Sequence, residues 1–318
     1  MALRVAVALA LARGVGAAPT VTTFVDFSRQ SATVPVRAFG VNSYQAFTET
    51  LKNRSGYVSN VAAMLSGGAG APLGGFARLH REDMMTRDAA TDANSWLQFN
   101  RGGAPTWNFT RIDAALAGLY WRGGAGVPVM LCVSAYPPAW ANATANNKTM
   151  SEAHEADWVA LAASLVAHLR TTLAAELPAE LLWVELTNEW DASGYNPASL
   201  GRLVAAGAAA VRAAWPGVRA GGPAWARPDI TDAVTGFLAV AGPHIDFVSY
   251  HAYCNGNTGA SLKSVYACAG DPFVTVALAG IVPQYAAMGA AIALFHDEMN
   301  ISWVSAPHRA APATLLQI

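Results

Sequence analysis

The stretch that decides the fold of this chain is Leu-Leu-Trp-Val-Glu-Leu-Thr-Asn-Glu-Trp-Asp, residues 181–191. Its first half is apolar like a buried strand, and the polar Asn188 and Glu189 follow at once. A second stretch, Ile-Ala-Leu-Phe-His-Asp-Glu-Met-Asn-Ile-Ser-Trp (292–303), likewise places Glu298 after an apolar run. In a parallel α/β barrel, residues at the carboxyl ends of strands converge on one face. Glu189 and Glu298 are therefore predicted to meet there.

Short apolar runs alternate along the chain with longer alanine-rich stretches of helical period. This alternation is typical of repeated strand–helix units and predicts an α/β fold of the (β/α)8 TIM-barrel class. The polar stretches 85–110 and 134–150 are predicted to be loops above the carboxyl-end face. Strands are predicted at 37–42, 77–80, 127–133, 182–187, 218–221, 245–250 and 292–296. Helices are predicted at 112–122, 152–173, 197–214, 230–240 and 274–287.

The end of the chain falls short of the eight strands that a closed barrel of this class has. Only residues 299–318 follow Glu298, which is too few for another strand and helix. We therefore expect one barrel-like domain over residues 19–318, truncated before its eighth strand. A fragment or a truncated gene product would have this form.

The composition restricts the functional classes. The 318 residues are 53% hydrophobic and 13% charged, with a net charge of −1. Because no basic stripe is present, nucleic-acid binding has no electrostatic support. No apolar run after the N-terminal segment reaches the ~20 residues that a membrane-spanning helix needs. The chain also lacks a Cys-x-x-Cys pair and a His-Glu-x-x-His run, so neither a metal nor another cofactor is predicted.

The N-terminal residues predict export. Residues 1–18 combine a basic start, a short apolar stretch and small residues before a cleavage point, as a signal peptide does. The alternative is an alanine-rich mature N-terminus. We expect a secreted protein, either extracellular or in a lumenal, lysosome- or vacuole-like compartment. Glycosylation sequons, which suit such a glycoprotein, occur at Asn53, Asn108, Asn142, Asn147 and Asn300.

The three cysteines have different surroundings in the sequence. Cys254 and Cys268 flank a polar loop, and in an oxidising compartment they could pair and pin that loop. Cys132 lies inside the apolar run 127–133 and is predicted to be a buried free thiol.

Two further strand ends carry polar groups. Arg78 and His80 alternate onto one face of the second predicted strand, and His251 and Tyr253 onto one face of the sixth. Each histidine alone is more often a structural residue, and a glutamate after a strand can simply open a loop or cap a helix. Their recurrence at matching strand ends favours a polar cleft on the carboxyl-end face.

Two carboxyl groups meeting in such a cleft are what acid-assisted cleavage of a glycosidic bond requires. One donates a proton, and the other attacks the sugar or activates water. The Asn188 amide could bind a sugar hydroxyl, so the predicted partner is a carbohydrate. Aromatic side chains that could stack on sugar rings, or equally pack in the core, are Tyr136, Trp140, Trp190 and Trp303.

Three segments carry a resemblance to a known group: Val184-Glu-Leu-Thr-Asn-Glu-Trp-Asp191, Phe247-Val-Ser-Tyr-His-Ala-Tyr253 and Asp297-Glu-Met-Asn-Ile-Ser302. They resemble the clan of retaining (β/α)8 glycoside hydrolases with an acid/base on strand four and a nucleophile on strand seven. The likeness is closest to glycoside hydrolase family 39, the β-xylosidase and α-L-iduronidase family. Trp190 departs from that family, in which proline usually follows the glutamate.

The resemblance implies double displacement on a xyloside- or uronide-like glycan, with Glu189 as the acid/base and Glu298 as the nucleophile. It implies that Asn188 contacts the sugar next to the scissile bond, and that Arg78 and Tyr253 bond the nucleophile. The residues that it places around the sugar pocket are His80 and His251.

Two other interpretations stay open. One is a catalytically inactive barrel that binds carbohydrate without turnover. The other is a hydrolase of a neighbouring family in the same clan, cellulase-like, glucosylceramidase-like or heparanase-like. A serine or cysteine hydrolase is disfavoured because no Gly-x-Ser-x-Gly elbow occurs and Cys132 lies in a predicted core strand.

Overall fold

A computed structural model gives the structure of the chain. It describes residues 4–8, 22–26, 40–43, 76–79, 97–98, 105–110, 112–113, 116, 128–142, 149–226, 231–253 and 293–300. For residues 4–8, 22–26, 40–43, 76–77, 231, 252–253 and 294–300 the description covers the backbone only.

The centre of the fold is a seven-stranded sheet whose spatial order follows the chain order. Every neighbouring pair in it is parallel. The strands are β1 (Gly40–Ser43), β2 (Phe76–Leu79), β3 (Val129–Val133), β4 (Leu182–Leu186), β5 (Arg219–Trp225), β6 (Phe247–Tyr253) and β7 (Ala293–Asn300). Each corresponds to a predicted strand, so the predicted α/β fold of the barrel class is confirmed.

Helices follow β3, β4 and β5, as the alternation predicts. They are α1 (Glu155–Leu173), α2 (Pro197–Ala214) and α3 (Thr231–Ala241). A single 3-10 turn, Glu152–His154, directly precedes α1. The predicted helix begins at residue 152 because it includes this turn. None of the described helices is long and apolar enough to cross a bilayer.

The start of α2 shows how local sequence sets a helix boundary. The Asn196 side chain accepts hydrogen bonds from the backbone N–H groups of Ala198 and Ser199, and Pro197 occupies the first turn. Such a cap satisfies donors that have no partner within the helix, and its loss costs about 1 kcal/mol. The start of α2 is the predicted one because both signals lie at the helix start itself.

The core lies between the sheet and these helices. Trp158 of α1 is fully buried, and its Nε1 donates to the Ala135 carbonyl just beyond β3, at 3.2 Å. Leu203 and Val211 of α2 are also buried and pack in the same core cluster as Leu186 of β4. Full burial of such a side chain stabilises the fold by about 1.5–3 kcal/mol. This packing fixes the carboxyl ends of β3 and β4 relative to the helices.

Gly221 of β5 leaves too little room for a side chain. Gly221 pairs with Phe247 of β6, and a Cβ at Gly221 would lie 2.1 Å from the Phe247 carbonyl oxygen. That distance is far inside van der Waals contact, and the obstruction is backbone rather than a flexible side chain. The close approach of β5 to β6 therefore depends on glycine.

We expect Gly221→Ala to lower the free energy of unfolding by about 3 kcal/mol, at the upper end of the cost of overpacking. The matched control is Gly236→Ala in α3, where the added Cβ would lie 3.8 Å from the Pro197 Cβ. Since alanine is the better helix former, that change should be neutral or stabilising by up to ~1 kcal/mol. Urea unfolding of both variants measures the difference, and equal free energies would contradict the close approach.

Some regions differ from the sequence prediction or lie outside the described residues. Leu97–Gln98 pairs antiparallel with Thr106–Trp107 inside the stretch predicted as the loop 85–110. Arg4–Ala8 pairs antiparallel with Thr22–Asp26, and the signal peptide over residues 1–18 stays a prediction. The predicted helix 274–287 lies outside the described residues.

Candidate active site

The backbone changes conformation sharply where β4 ends. Thr187 and Glu189 have positive φ angles of 74° and 56°. A non-glycine residue in this region costs roughly 1–3 kcal/mol, and such residues cluster at functional sites. The regular alternation of side chains along β4 therefore stops at Leu186.

Hydrogen bonds from both neighbouring strands hold this turn. The Thr187 N–H donates to the Val133 carbonyl at the end of β3, at 3.0 Å. On the other side, the Glu189 N–H donates to the Ala224 carbonyl of β5, also at 3.0 Å. The Thr187 hydroxyl donates to the Pro223 carbonyl at 3.4 Å. The turn is thus fixed between β3 and β5, which positions the Glu189 side chain.

The Glu189 carboxyl group meets His251 of β6. Its Oε1 lies 2.7 Å from His251 Nδ1, and the imidazole is completely buried. The Glu189 side chain is 32% exposed. One face of the carboxyl group therefore contacts the protein while the side chain remains partly open to solvent, which suits a group that exchanges protons with a bound molecule.

The pairing of β6 with β7 places the second glutamate. The register runs Tyr250 with His296 and then His251 with Glu298, so Asp297 is an extra residue in β7. Without this bulge, Asp297 would stand opposite His251. Neighbouring strands lie about 4.8 Å apart, and bulges frequently re-aim a residue beside an active site. The backbone of Glu298 therefore lies next to His251, the residue that contacts Glu189.

A buried polar cluster lies beside the same strand end. Arg78 of β2 donates through Nε to Glu185 Oε2 at 2.8 Å, and its Nη2 contacts the same oxygen. Nη2 also donates to Asn188 Oδ1 at 2.8 Å. The Cys132 thiol lies 3.7 Å from both Asn188 Oδ1 and the Thr187 carbonyl. Strands β2, β3 and β4 therefore meet in one hydrogen-bonded group that includes Asn188, the residue before Glu189 in the chain.

The structure brings together four of the predicted site residues, Glu189, Asn188, Arg78 and His251. His251 contacts Glu189, and its predicted place around the sugar stays a prediction. The predicted bonds of Arg78 and Tyr253 to the nucleophile involve the Glu298 side chain, which lies outside the described part of the structure, as does the Tyr253 side chain. The remaining predicted residues outside the described ranges are His80, Cys254 and Cys268.

Sequence reasoning did not assign Glu185 a role in the site. Its carboxyl group is fully buried within β4 and paired with Arg78. A charged residue in the middle of an otherwise apolar strand was the available signal, because buried carboxylates need partners.

The prediction that Cys132 is a buried free thiol is confirmed. Its contact with the site residue Asn188 was not predicted.

The structure settles the role of Trp190, for which stacking on sugar and packing in the core were both open. The ring is fully buried and contacts the rings of Tyr136, Trp158 and Tyr195 at centroid distances of 5.6, 5.9 and 5.4 Å. The Tyr195 hydroxyl donates to Glu155 Oε1 at 2.5 Å. Burial, and then this bond, raise the pKa of the Tyr195 phenol. Trp190 therefore anchors the loop after Glu189 to α1.

The fold of the chain is similar to that of several proteins of known structure. The chain superimposes on a family 51 α-L-arabinofuranosidase, AbfB, from Bifidobacterium longum with a TM-score of 0.53 and 17% identity, over 90% of this chain and 59% of that one. A family 51 arabinofuranosidase from Xanthomonas axonopodis pv. citri gives a TM-score of 0.51 and 15% identity, over 88% and 60% of the two chains. A glucosidase from Croceicoccus marinus gives 0.52 and 12%, over 85% and 54%.

No family model and no curated protein matches the sequence. The chain spans between 54% and 60% of the length of these three structural neighbours. The neighbours are glycoside hydrolases, so this chain has a barrel fold that glycoside hydrolases use. At these identities the likeness shows the fold alone.

Proposed function

We propose that the chain is a retaining glycoside hydrolase in which Glu189 is the acid/base and Glu298 is the nucleophile. The observation that supports this most is the placement of His251. It contacts the Glu189 carboxyl group directly, and its backbone pairs with that of Glu298. This backbone register supports a common position for the two glutamates, distant in sequence, at one end of the sheet.

In the proposed first step, the Glu298 carboxylate attacks the anomeric carbon and the bond from that carbon to the leaving oxygen breaks. Protonated Glu189 gives its proton to the leaving oxygen. In the second step, ionised Glu189 takes a proton from water, whose oxygen attacks the anomeric carbon and releases Glu298. Two inversions return the original configuration. Retention requires the two carboxyl groups to lie about 5–5.5 Å apart.

In this mechanism, His251 determines which oxygen of the Glu189 carboxyl group carries the proton. If His251 Nδ1 carries hydrogen, it donates to Glu189 Oε1 at the 2.7 Å separation. The catalytic proton then occupies Oε2, the oxygen that His251 does not contact. A buried imidazole in a fixed position holds the carboxyl group in one orientation, which favours proton transfer along one direction.

The substrate class is proposed from the sequence resemblance and from the neighbours. The resemblance to family 39 supports a β-xyloside or a uronide, and two neighbours are named as arabinofuranosidases. The first substrates to test are therefore glycosides of these sugars. Export through residues 1–18 as a signal peptide, with a Cys254–Cys268 disulfide, is proposed on the sequence alone.

The test is a panel of 4-nitrophenyl glycosides: β-D-xylopyranoside, α-L-arabinofuranoside, β-D-glucuronide and β-D-glucopyranoside. Release of 4-nitrophenol identifies the sugar, and proton NMR of the first-formed product gives its anomeric configuration. We expect hydrolysis of at least one substrate with retention. Inversion would contradict the proposed nucleophile, and saturable sugar binding without any release would favour a carbohydrate-binding barrel.

A further inference from the structure

A buried ion pair, Arg78 with Glu185, contacts Asn188 next to the proposed acid/base and takes no part in the two proposed chemical steps. Glu185 is completely buried and Arg78 almost so, at 0% and 5% exposure of their side chains. Removing two charges from water is costly, and replacing such a pair by apolar residues is often neutral or stabilising. Fold stability alone is therefore a weak reason for charges at this point, and their geometry suggests another role.

The Arg78 guanidinium is held by Glu185 and in turn holds Asn188. Nε and Nη2 both contact Glu185 Oε2, which fixes the plane of the guanidinium group. Nη2 carries two hydrogens, and the second one reaches Asn188 Oδ1 at 2.8 Å. Because the guanidinium group is planar and its donors form a rigid fork, fixing one edge of the group also fixes the direction of the other donors.

The orientation of the Asn188 amide follows from its two neighbours. Arginine has no acceptor, so the amide atom that faces Nη2 must be the carbonyl oxygen. The Cys132 sulfur lies 3.7 Å from the same oxygen, and at the same distance from the Thr187 carbonyl oxygen. Both contacts of the Asn188 side chain in the described part of the chain are made to Oδ1. The Nδ2 group is thereby directed away from the cluster.

We propose that Glu185 and Arg78 are positioning residues that act through Asn188. They keep the Asn188 Nδ2 group presented as a hydrogen-bond donor to a sugar hydroxyl oxygen, beside the carboxyl group of Glu189. The sequence of contacts is Glu185 to Arg78, Arg78 to Asn188 and Asn188 to the ligand. Only the last contact rests on the proposed function, since the first two are made without a ligand.

The first measurement needs no substrate. Selective ¹⁵N labelling of asparagine gives the side-chain amide signals, and the Asn188 signal is the one missing in Asn188→Asp. In Arg78→Lys, which keeps the charge but lacks the fork, we expect that signal to shift or to split as the amide samples a second orientation. The matched control is Arg212→Lys, which alters the separate Arg212–Asp246 pair and should leave the signal in place.

Because a single change can leave a buried charge unpaired, a second variant keeps the test informative. Arg78→Met with Glu185→Met removes both charges and the donor to Asn188 together. A folded double variant with an unchanged Asn188 signal would overturn the proposal. A shifted or split signal supports it, whatever the enzymatic activity of the chain.

The second measurement uses the aryl glycoside that the panel identifies, together with its 2-deoxy counterpart. The parent protein should prefer the hydroxylated substrate in kcat/KM, and Glu185→Gln should reduce that preference about tenfold, towards the value for Asn188→Ala. Adding Glu185→Gln to Asn188→Ala should cause no further loss. Independent, additive losses would overturn action through Asn188. Absence of any hydrolysis would count against the proposed function and leave the amide measurement standing.

Discussion

Glu298→Ala is expected to lower kcat/KM on an aryl glycoside by on the order of 10⁶-fold, the scale of loss when the nucleophile of a covalent mechanism is removed. Without the carboxylate, no glycosyl-enzyme ester can form, and the anomeric carbon loses its attacking group. The remaining barrel should still bind the sugar, so KM should change far less than kcat. Steady-state kinetics on the substrate identified by the panel measures both constants.

Azide gives this prediction its sharpest check. A small anion that enters the space left by Glu298→Ala attacks the anomeric carbon directly, and the glycosyl azide has the configuration opposite to that of the substrate. Activity of the variant should therefore rise with azide concentration. Hydrolysis at the parent rate, or an azide product with the substrate's configuration, would remove Glu298 from the nucleophile role.

Glu189→Ala is expected to lower kcat/KM by about 10²–10⁴-fold on glycosides with poor leaving groups, the usual contribution of general acid catalysis. With a 2,4-dinitrophenyl leaving group, which departs without protonation, the loss in kcat/KM should be tenfold or less. The second step still needs a base, so the covalent intermediate should accumulate and give a burst of dinitrophenol.

The control for Glu189 lies at the other end of the same strand. Glu180 is exposed just before β4, and Glu180→Ala should leave the kinetics unchanged for every leaving group. Azide should rescue Glu189→Ala with an azide product that has the substrate's configuration, since it attacks the covalent intermediate. An equal loss for good and poor leaving groups would argue against an acid role for Glu189.

The sequence alone predicted the strands well because each strand has a local signature. The apolar composition of the run before Glu189 predicts a buried strand at 182–187. The observed strand, Leu182–Leu186, ends one residue earlier than the predicted strand. Asn196 and Pro197 fixed the start of α2 for the same reason. The hairpin of Leu97–Gln98 with Thr106–Trp107 was missed because its strands are two residues long, too short for any period to show.

The candidate site was predictable in its members and not in its contacts. Glu189, Asn188, Arg78 and His251 were each recognisable as polar residues at strand ends. Arg78 bonds Glu185, which lies 107 positions away in the chain. This contact depends on the relative positions of β2 and β4 in the sheet, which no local sequence pattern encodes. The contact between His251 and Glu189 depends in the same way on the bend at the end of β4.

The sequence by itself determined the α/β class, the succession of strands and helices, and which polar residues end the strands, because these follow from short-range periodicity and capping. Only the tertiary structure decided the positive φ angles of Thr187 and Glu189, the extra residue Asp297 that sets Glu298 opposite His251, and the pairing of Arg78 with Glu185. These features arise from hydrogen bonds between strands far apart in the chain, whose register is fixed only when the whole sheet assembles.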